Sequence, residues 1–304
     1  MTVATAQRGF RNHDLDPGKE LDMAGKIWIQ EDQGGWSSGL GGTLAAAVLA
    51  VFAVAPGAQA LDFDVLLYDD GSGNVRAGGI DTDTLTPELG HAVLEGGLLG
   101  DTTLPNPSFQ ADEPGIFSVS DDNAGVLGGS NDNLPGGAAV TLDFLVEPTL
   151  NISLAYWDGA QFGATPLGET LSVAVGANLY GGLGGSNQLL GVDLGSTASD
   201  GGLHVHPDWD LGVATPGVYL AYGHANVAGL NGPSNPFWLV FGTLDACAAS
   251  ADCTPLQELF NAGIEDQITA GIAYVNANLV PIPEPSTALL MALGLAGLNA
   301  SRRR

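Results

Sequence analysis

The sequence predicts a mainly β fold. The expected form is an antiparallel β-sandwich of jelly-roll or immunoglobulin-like type, ending in one or two amphipathic helices. A signal helix is expected before it and a transmembrane helix after it. Three observations carry this expectation. Apolar residues recur at every second position through the middle of the chain, glycine pairs punctuate the runs, and helical spacing begins only near residue 256.

The alternation is clearest where Val140, Leu142, Phe144 and Val146 interleave with Thr141 and Asp143. Beyond the turn-like Glu147-Pro148-Thr149, the series Leu150, Ile152, Leu154 and Tyr156 repeats it, and Leu171, Val173 and Val175 follow suit. A period of two places one side of a strand in a core and the other in water. Further strands are expected over 63–68, 189–194, 218–222 and 237–242. Gly128-Gly129, Gly136-Gly137, Gly181-Gly182 and Gly201-Gly202 supply turns, because glycine adopts positive φ without a Cβ penalty. Many short strands with such turns suit a sandwich.

The pattern then changes. Thr254-Pro255-Leu256-Gln257 has a cap, a first-turn proline and the glutamine position of a capping box. Leu256, Leu259, Phe260, Ile264, Ile268, Ile272 and Val275 follow helical spacing, with Gly263 as a break that would make two helices. Just before this segment lie Cys247 and Cys253, the chain's two cysteines. In an oxidising compartment a close pair of this kind is a disulfide, and no further thiolate exists to build a zinc-cysteine site.

The two ends are delivery segments. Residues 44–55 form an apolar run too short to span a bilayer comfortably. Ala58-Gln59-Ala60 follows with the small-x-small pattern of a signal-peptidase site, so cleavage is expected after Ala60. At the other end, Pro283, Glu284 and Pro285 lead into an apolar stretch, a transmembrane helix over about 286–300, closed by Arg302, Arg303 and Arg304. The organisation is therefore an extension and signal peptide at 1–60, an acidic β domain at 61–245, a disulfide loop and helical segment at 246–276, and a linker with its tail at 277–304.

The order Pro-Glu-Pro, short apolar helix, arginine cluster resembles the PEP-CTERM sorting domain. That resemblance implies recognition by an exosortase-type protease, passage through the inner membrane by the C-terminal helix, and delivery to the cell surface or extracellular matrix. It also brings exopolysaccharide into view as a partner.

Charge narrows the partners. The chain carries a formal net charge of −26, and Arg76 is the one basic Lys or Arg residue between the two end segments. Such a domain repels phosphate backbones, which excludes nucleic acid, and it favours cations.

The stretch from Gly201 to His224 holds the candidate chemistry. On an extended backbone His204 and His206 project from one face, about 7 Å apart, and can share one metal ion. His224, His91, Asp208 and Asp210 are the candidates to complete the ligand set. Zinc is the metal such a set suits; calcium stands second, through the oxygen-rich Asp69-Asp70-Gly71-Ser72-Gly73-Asn74. The competing account treats the histidines as a stacked polar pair on a partly exposed strand.

His204-x-His206-x-x-Trp209 with Pro216-Gly217-x-Tyr219 resembles the core of the choice-of-anchor M domain, or surface-anchored repeat, which implies a surface β domain handling zinc through His204 and His206. His204-x-His206-x3-Asp210-x6-Gly217 is similar to the first metal motif of cupins. No G-x-S-x-G or phosphate-cradling glycine loop occurs, and the basic clamp for anionic substrates is lacking. The expected function is a non-enzymatic exported protein with a metal-binding β domain. The alternatives are a structural matrix protein without a specific metal site and a cupin-like metalloenzyme.

Overall fold

The computed structural model describes residues 63–280, apart from 83, 91, 213 and 250–252. The signal-cleavage residues Ala58 and Ala60, the tail from Pro283 to Arg304 with its expected membrane helix, and His91 lie outside the described residues. Among those described, no helix is long and apolar enough to cross a membrane.

The described part of the chain opens with β1 (Phe63–Asp69), β2 (Val75–Asp81), β3 (Thr86–Glu88) and β4 (Val93–Gly100), then the short β5 (Phe109–Ala111) and β6 (Ile116–Ser118). Its middle holds β7 (Ala139–Phe144), β8 (Leu154–Trp157), β9 (Phe162–Ala164), β10 (Leu171–Val175), β11 (Asn178–Leu183) and β12 (Leu189–Ser196). It closes with β13 (Leu203–Val205), β14 (Asp208–Leu211), β15 (Val218–Val227), β16 (Phe237–Asp245) and one helix, α1 (Pro255–Asn278).

These strands make two sheets. The smaller runs β13-β6-β1-β2-β3; the larger, a curled half-barrel, runs β11-β10-β14-β5-β4-β16-β15-β7-β12, with the β8–β9 hairpin attached at β15. Among the described residues the fold is thus mainly β with one α-helix, at their C-terminal end. Two pairs, β1 with β6 and β4 with β16, are parallel, so the arrangement is not purely antiparallel as expected. A parallel pair needs a crossover rather than a hairpin, and sequence alternation is blind to that choice.

Val65, Leu67, Ile116 and Leu203 of the smaller sheet share one core with Phe144, Trp209, Phe237, Leu239 and Phe241 of the larger. On the far side of the larger sheet, Trp238, Val240, Val218 and Leu220 pack beneath α1. Strand β16 is therefore buried on both faces, which is why residues 237–241 read as a continuous apolar run.

Helix α1 is one helix, uninterrupted at Gly263. Thr254 and Gln257 form the expected capping box, and Pro255 sits in the first turn. Its buried stripe is Asn261, Ile264, Ile268, Gly271 and Val275, whereas Leu256 and Leu259 are exposed. Asn261 belongs to the stripe because its side-chain oxygen accepts the Asp245 N–H at 2.8 Å. The expected disulfide joins Cys247 to Cys253 beside this contact.

Where Leu150 and Ile152 were expected in a strand, the chain turns instead. The Glu147 carboxylate accepts the N–H groups of Thr149 and Leu150, and Asn151 adopts a φ of 57°. Strand β8 begins only at Leu154. Glycine also serves where no turn exists: a Cβ on Gly96, inside β4, would lie 2.8 Å from the Phe241 ring.

Candidate metal centre

The site lies on the smaller sheet. Strand β13 pairs with β6, setting His204 opposite Phe117, while β6 runs parallel to β1 on its other side. Asp64 enters from β1, and His206 follows β13 immediately, ahead of Pro207. Strand-edge geometry explains the convergence: alternate residues 204 and 206 keep one face, and the short strand ends before the chain can diverge.

His204 Nε2 and His206 Nε2 are 2.8 Å apart, and His204 Nε2 is 3.3 Å from Asp64 Oδ2. Ligand atoms of Asp64, His204 and His206 all lie within 4.8 Å of one another. Asp64 is 1% exposed, and its Oδ1 accepts the Gly115 N–H at 2.7 Å. Its Oδ2 is shielded from solvent and takes no well-formed hydrogen bond. A buried carboxylate oxygen left in that state is costly unless a cation or donor meets it. The two imidazoles are exposed, at 49% and 36% of their side-chain surface, so one side of the site faces water.

His206 is held from behind. Its Nδ1 faces the Asp112 carbonyl at 3.2 Å and Glu113 Oε1 at 3.1 Å, so Nδ1 carries the hydrogen and Nε2 presents its lone pair. The Phe117 ring meets His204 edge-on at 5.2 Å between centroids. Burial, with the adjacent Asp64 carboxylate, pushes the Glu113 carboxyl up to about 7.

The arrangement offers two imidazole nitrogens and one carboxylate oxygen, the donors of an open zinc site with room for a further ligand. His204 and His206 converge as the sequence predicts, with their nitrogens far closer than strand rise alone requires. The third candidate ligand is Asp64, which the sequence gives no local reason to select.

His224, Asp208 and Asp210 lie elsewhere. His224, on β15, bonds Asp143 Oδ2 at 3.1 Å. Burial works against the Asp143 charge, yet hydrogen bonds from Gly191, Asn226 and His224 hold its carboxyl below the usual range. Asp208 and Asp210 stand on β14 in the larger sheet, where Asp210 accepts from Gln110 at 3.2 Å. The cupin-like set of His204, His206 and Asp210 is not assembled. Trp209 is buried and donates to the Pro114 carbonyl at 3.2 Å. Tyr219 is buried, with Glu169 and Thr215 as partners, and Gly217 packs against the Tyr156 ring.

The oxygen-rich 69–74 segment is a hairpin turn. Asp69 accepts the N–H groups of Gly71 and Gly73, while Asp70 accepts from Ser72, Asn74 and Arg76. Asp69 Oδ1 and the Asp70 carboxylate are thus engaged by the turn and by Arg76.

No curated protein matches the chain. Among solved structures, a family 123 glycoside hydrolase from Clostridium perfringens, studied for glycolipid glycan hydrolysis, is similar at 14% identity with a TM-score of 0.19. The likeness covers 52% of this chain and 23% of that one, so the chain spans under a quarter of that enzyme. Nothing about fold or activity follows from it. No comparison supports the choice-of-anchor M resemblance. Residues 281–304 match the PEP-CTERM protein-sorting motif, which implies an exported protein processed by an exosortase and sorted to the cell surface.

Proposed function

We propose that this chain is an exported, non-enzymatic protein of the cell surface or extracellular matrix whose β domain binds a divalent metal ion through Asp64, His204 and His206. The matched tail supports the route. The metal reading is carried by one observation, the convergence of three ligand atoms within 4.8 Å around a buried, unsatisfied carboxylate oxygen. Zinc suits this donor set, with a fourth position left open. Calcium, which takes six to eight oxygens, does not.

A second reading has a specific observation in its favour. Both histidines are exposed, as in a matrix protein that meets exopolysaccharide through its acidic surface and needs no metal. Metal analysis of the full chain purified without chelator separates the two. The metal reading expects roughly one zinc ion per chain, lost in the His204→Ala, His206→Ala double variant. Metal content that is negligible in the wild type, or unchanged in the variant, overturns it.

A further inference from the structure

We infer that Glu113 is a positioning residue of the metal centre, fixing His206 in the Nδ1–H tautomer so that its Nε2 lone pair faces the ion. The inference deepens the metal reading above and rests on it for its purpose.

The geometry is supplied by one short segment, Asp112 to Gly115. The Asp112 carbonyl and Glu113 Oε1 both accept from His206 Nδ1, at 3.2 and 3.1 Å. Glu113 Oε2 accepts the Gly115 N–H at 2.8 Å, and that same N–H bonds Asp64 Oδ1 at 2.7 Å. The segment thus grips two of the three ligands from behind, and it leaves Asp64 Oδ2 turned toward the imidazoles. A Cβ on Gly115 would sit 2.7 Å from Asp64 Oδ1, so glycine is what lets the backbone approach. Trp209, buried in the inter-sheet core, anchors the segment through the Pro114 carbonyl.

The chemistry explains why a carboxylate belongs there. An imidazole binds metal through one nitrogen only when its hydrogen sits on the other, and an acceptor on that second nitrogen selects the tautomer. A charged acceptor also makes the ligating nitrogen more basic, and loss of such partners weakens metal binding by about 10- to 100-fold. Glu113 fills no core position, since 38% of its side chain is exposed. Its two oxygens are instead committed to His206 and Gly115.

Two measurements on the full chain test this. The first reads the His206 tautomer in metal-free protein from long-range proton–nitrogen NMR correlations. Wild type should show the Nδ1–H form, and Glu113→Ala a mixture with Nε2–H. The second titrates zinc into wild type, Glu113→Ala and Glu113→Gln. Glu113→Ala should weaken binding about 10- to 100-fold, and Glu113→Gln, which keeps an acceptor oxygen, should recover much of the loss. An unaltered tautomer, or zinc affinity unmoved in Glu113→Ala, overturns the role of Glu113 while leaving the site standing. A wild type that takes up no zinc overturns the site itself, and the tautomer result then stands as geometry without that purpose.

Discussion

The Nε2 atoms of His204 and His206 face each other across 2.8 Å. Only one hydrogen fits between them, so one ring donates and the other accepts. Because His206 spends its hydrogen on Asp112 and Glu113, His204 is the donor. A metal ion would take the place of that shared hydrogen.

The first prediction follows from this gap. Two nitrogens about 2.05 Å from a tetrahedral ion stand roughly 3.3 Å apart. A crystal structure of the zinc-loaded protein should therefore show the histidine pair opened by about half an ångström. The Asp112 and Glu113 contacts to Nδ1 should be kept.

Asp64 separates affinity from stability. Asp64→Asn keeps an oxygen for Gly115 but removes the buried charge, so zinc affinity should fall while the metal-free melting temperature holds or rises. Asp64→Ala removes one of the two acceptors of the Gly115 N–H, leaving it to Glu113 Oε2, and should lower stability by about 0.5–1.5 kcal/mol. Calorimetric titration and thermal melts of both variants check the contrast.

Glu113 sets a pH dependence in the metal-free protein. Its folded carboxyl titrates near 7 against an ordinary 4.5, so the folded state holds that proton more tightly than the unfolded chain. Its contribution is complete below about 4.5 and is lost as pH rises to about 7. The wild type should thus be less stable at pH 8 than at pH 6. In Glu113→Gln that part of the slope should vanish, as denaturant melts at the two pH values would show.

The disulfide closes a short loop between β16 and α1. Chain entropy alone gives such a bridge about 2 kcal/mol. The Cys247→Ser, Cys253→Ser variant should lose near that amount in urea melts. Its loss should register first at α1, whose Asn261 is bonded to Asp245 beside the bridge.

Gly242 lets α1 lie close on β16. A Cβ there would meet Ile268 Cδ1 at 2.3 Å and Ile264 Cγ2 at 2.9 Å. Gly242→Ala should cost about 1–3 kcal/mol through overpacking. Hydrogen exchange should quicken along α1 and leave β13 unchanged.

The strands and the helix were legible where the signal is local. Alternation marked β7 and β10, the strands expected over 218–222 and 237–242 fall in β15 and β16, and the Thr254–Gln257 box marked the start of α1. Legibility failed where a side chain took over the backbone, as Glu147 does at the turn before β8. It failed also at Gly181-Gly182, expected to turn but lying inside β11, where a Cβ on Gly182 would meet Thr170 at 2.7 Å.

The sequence by itself determined the class of fold, the disulfide, the sorting tail and the paired histidines. Each of these depends on residues a few positions apart, whose relation is set by strand or helix period. Only the tertiary structure decided that Asp64 completes the cluster, that Glu113 backs it, and that His224 does not take part. The cluster and its support join β1, β13 and the segment that enters β6, parts of the chain brought side by side by one parallel and one antiparallel pairing. No local periodicity encodes such a neighbour.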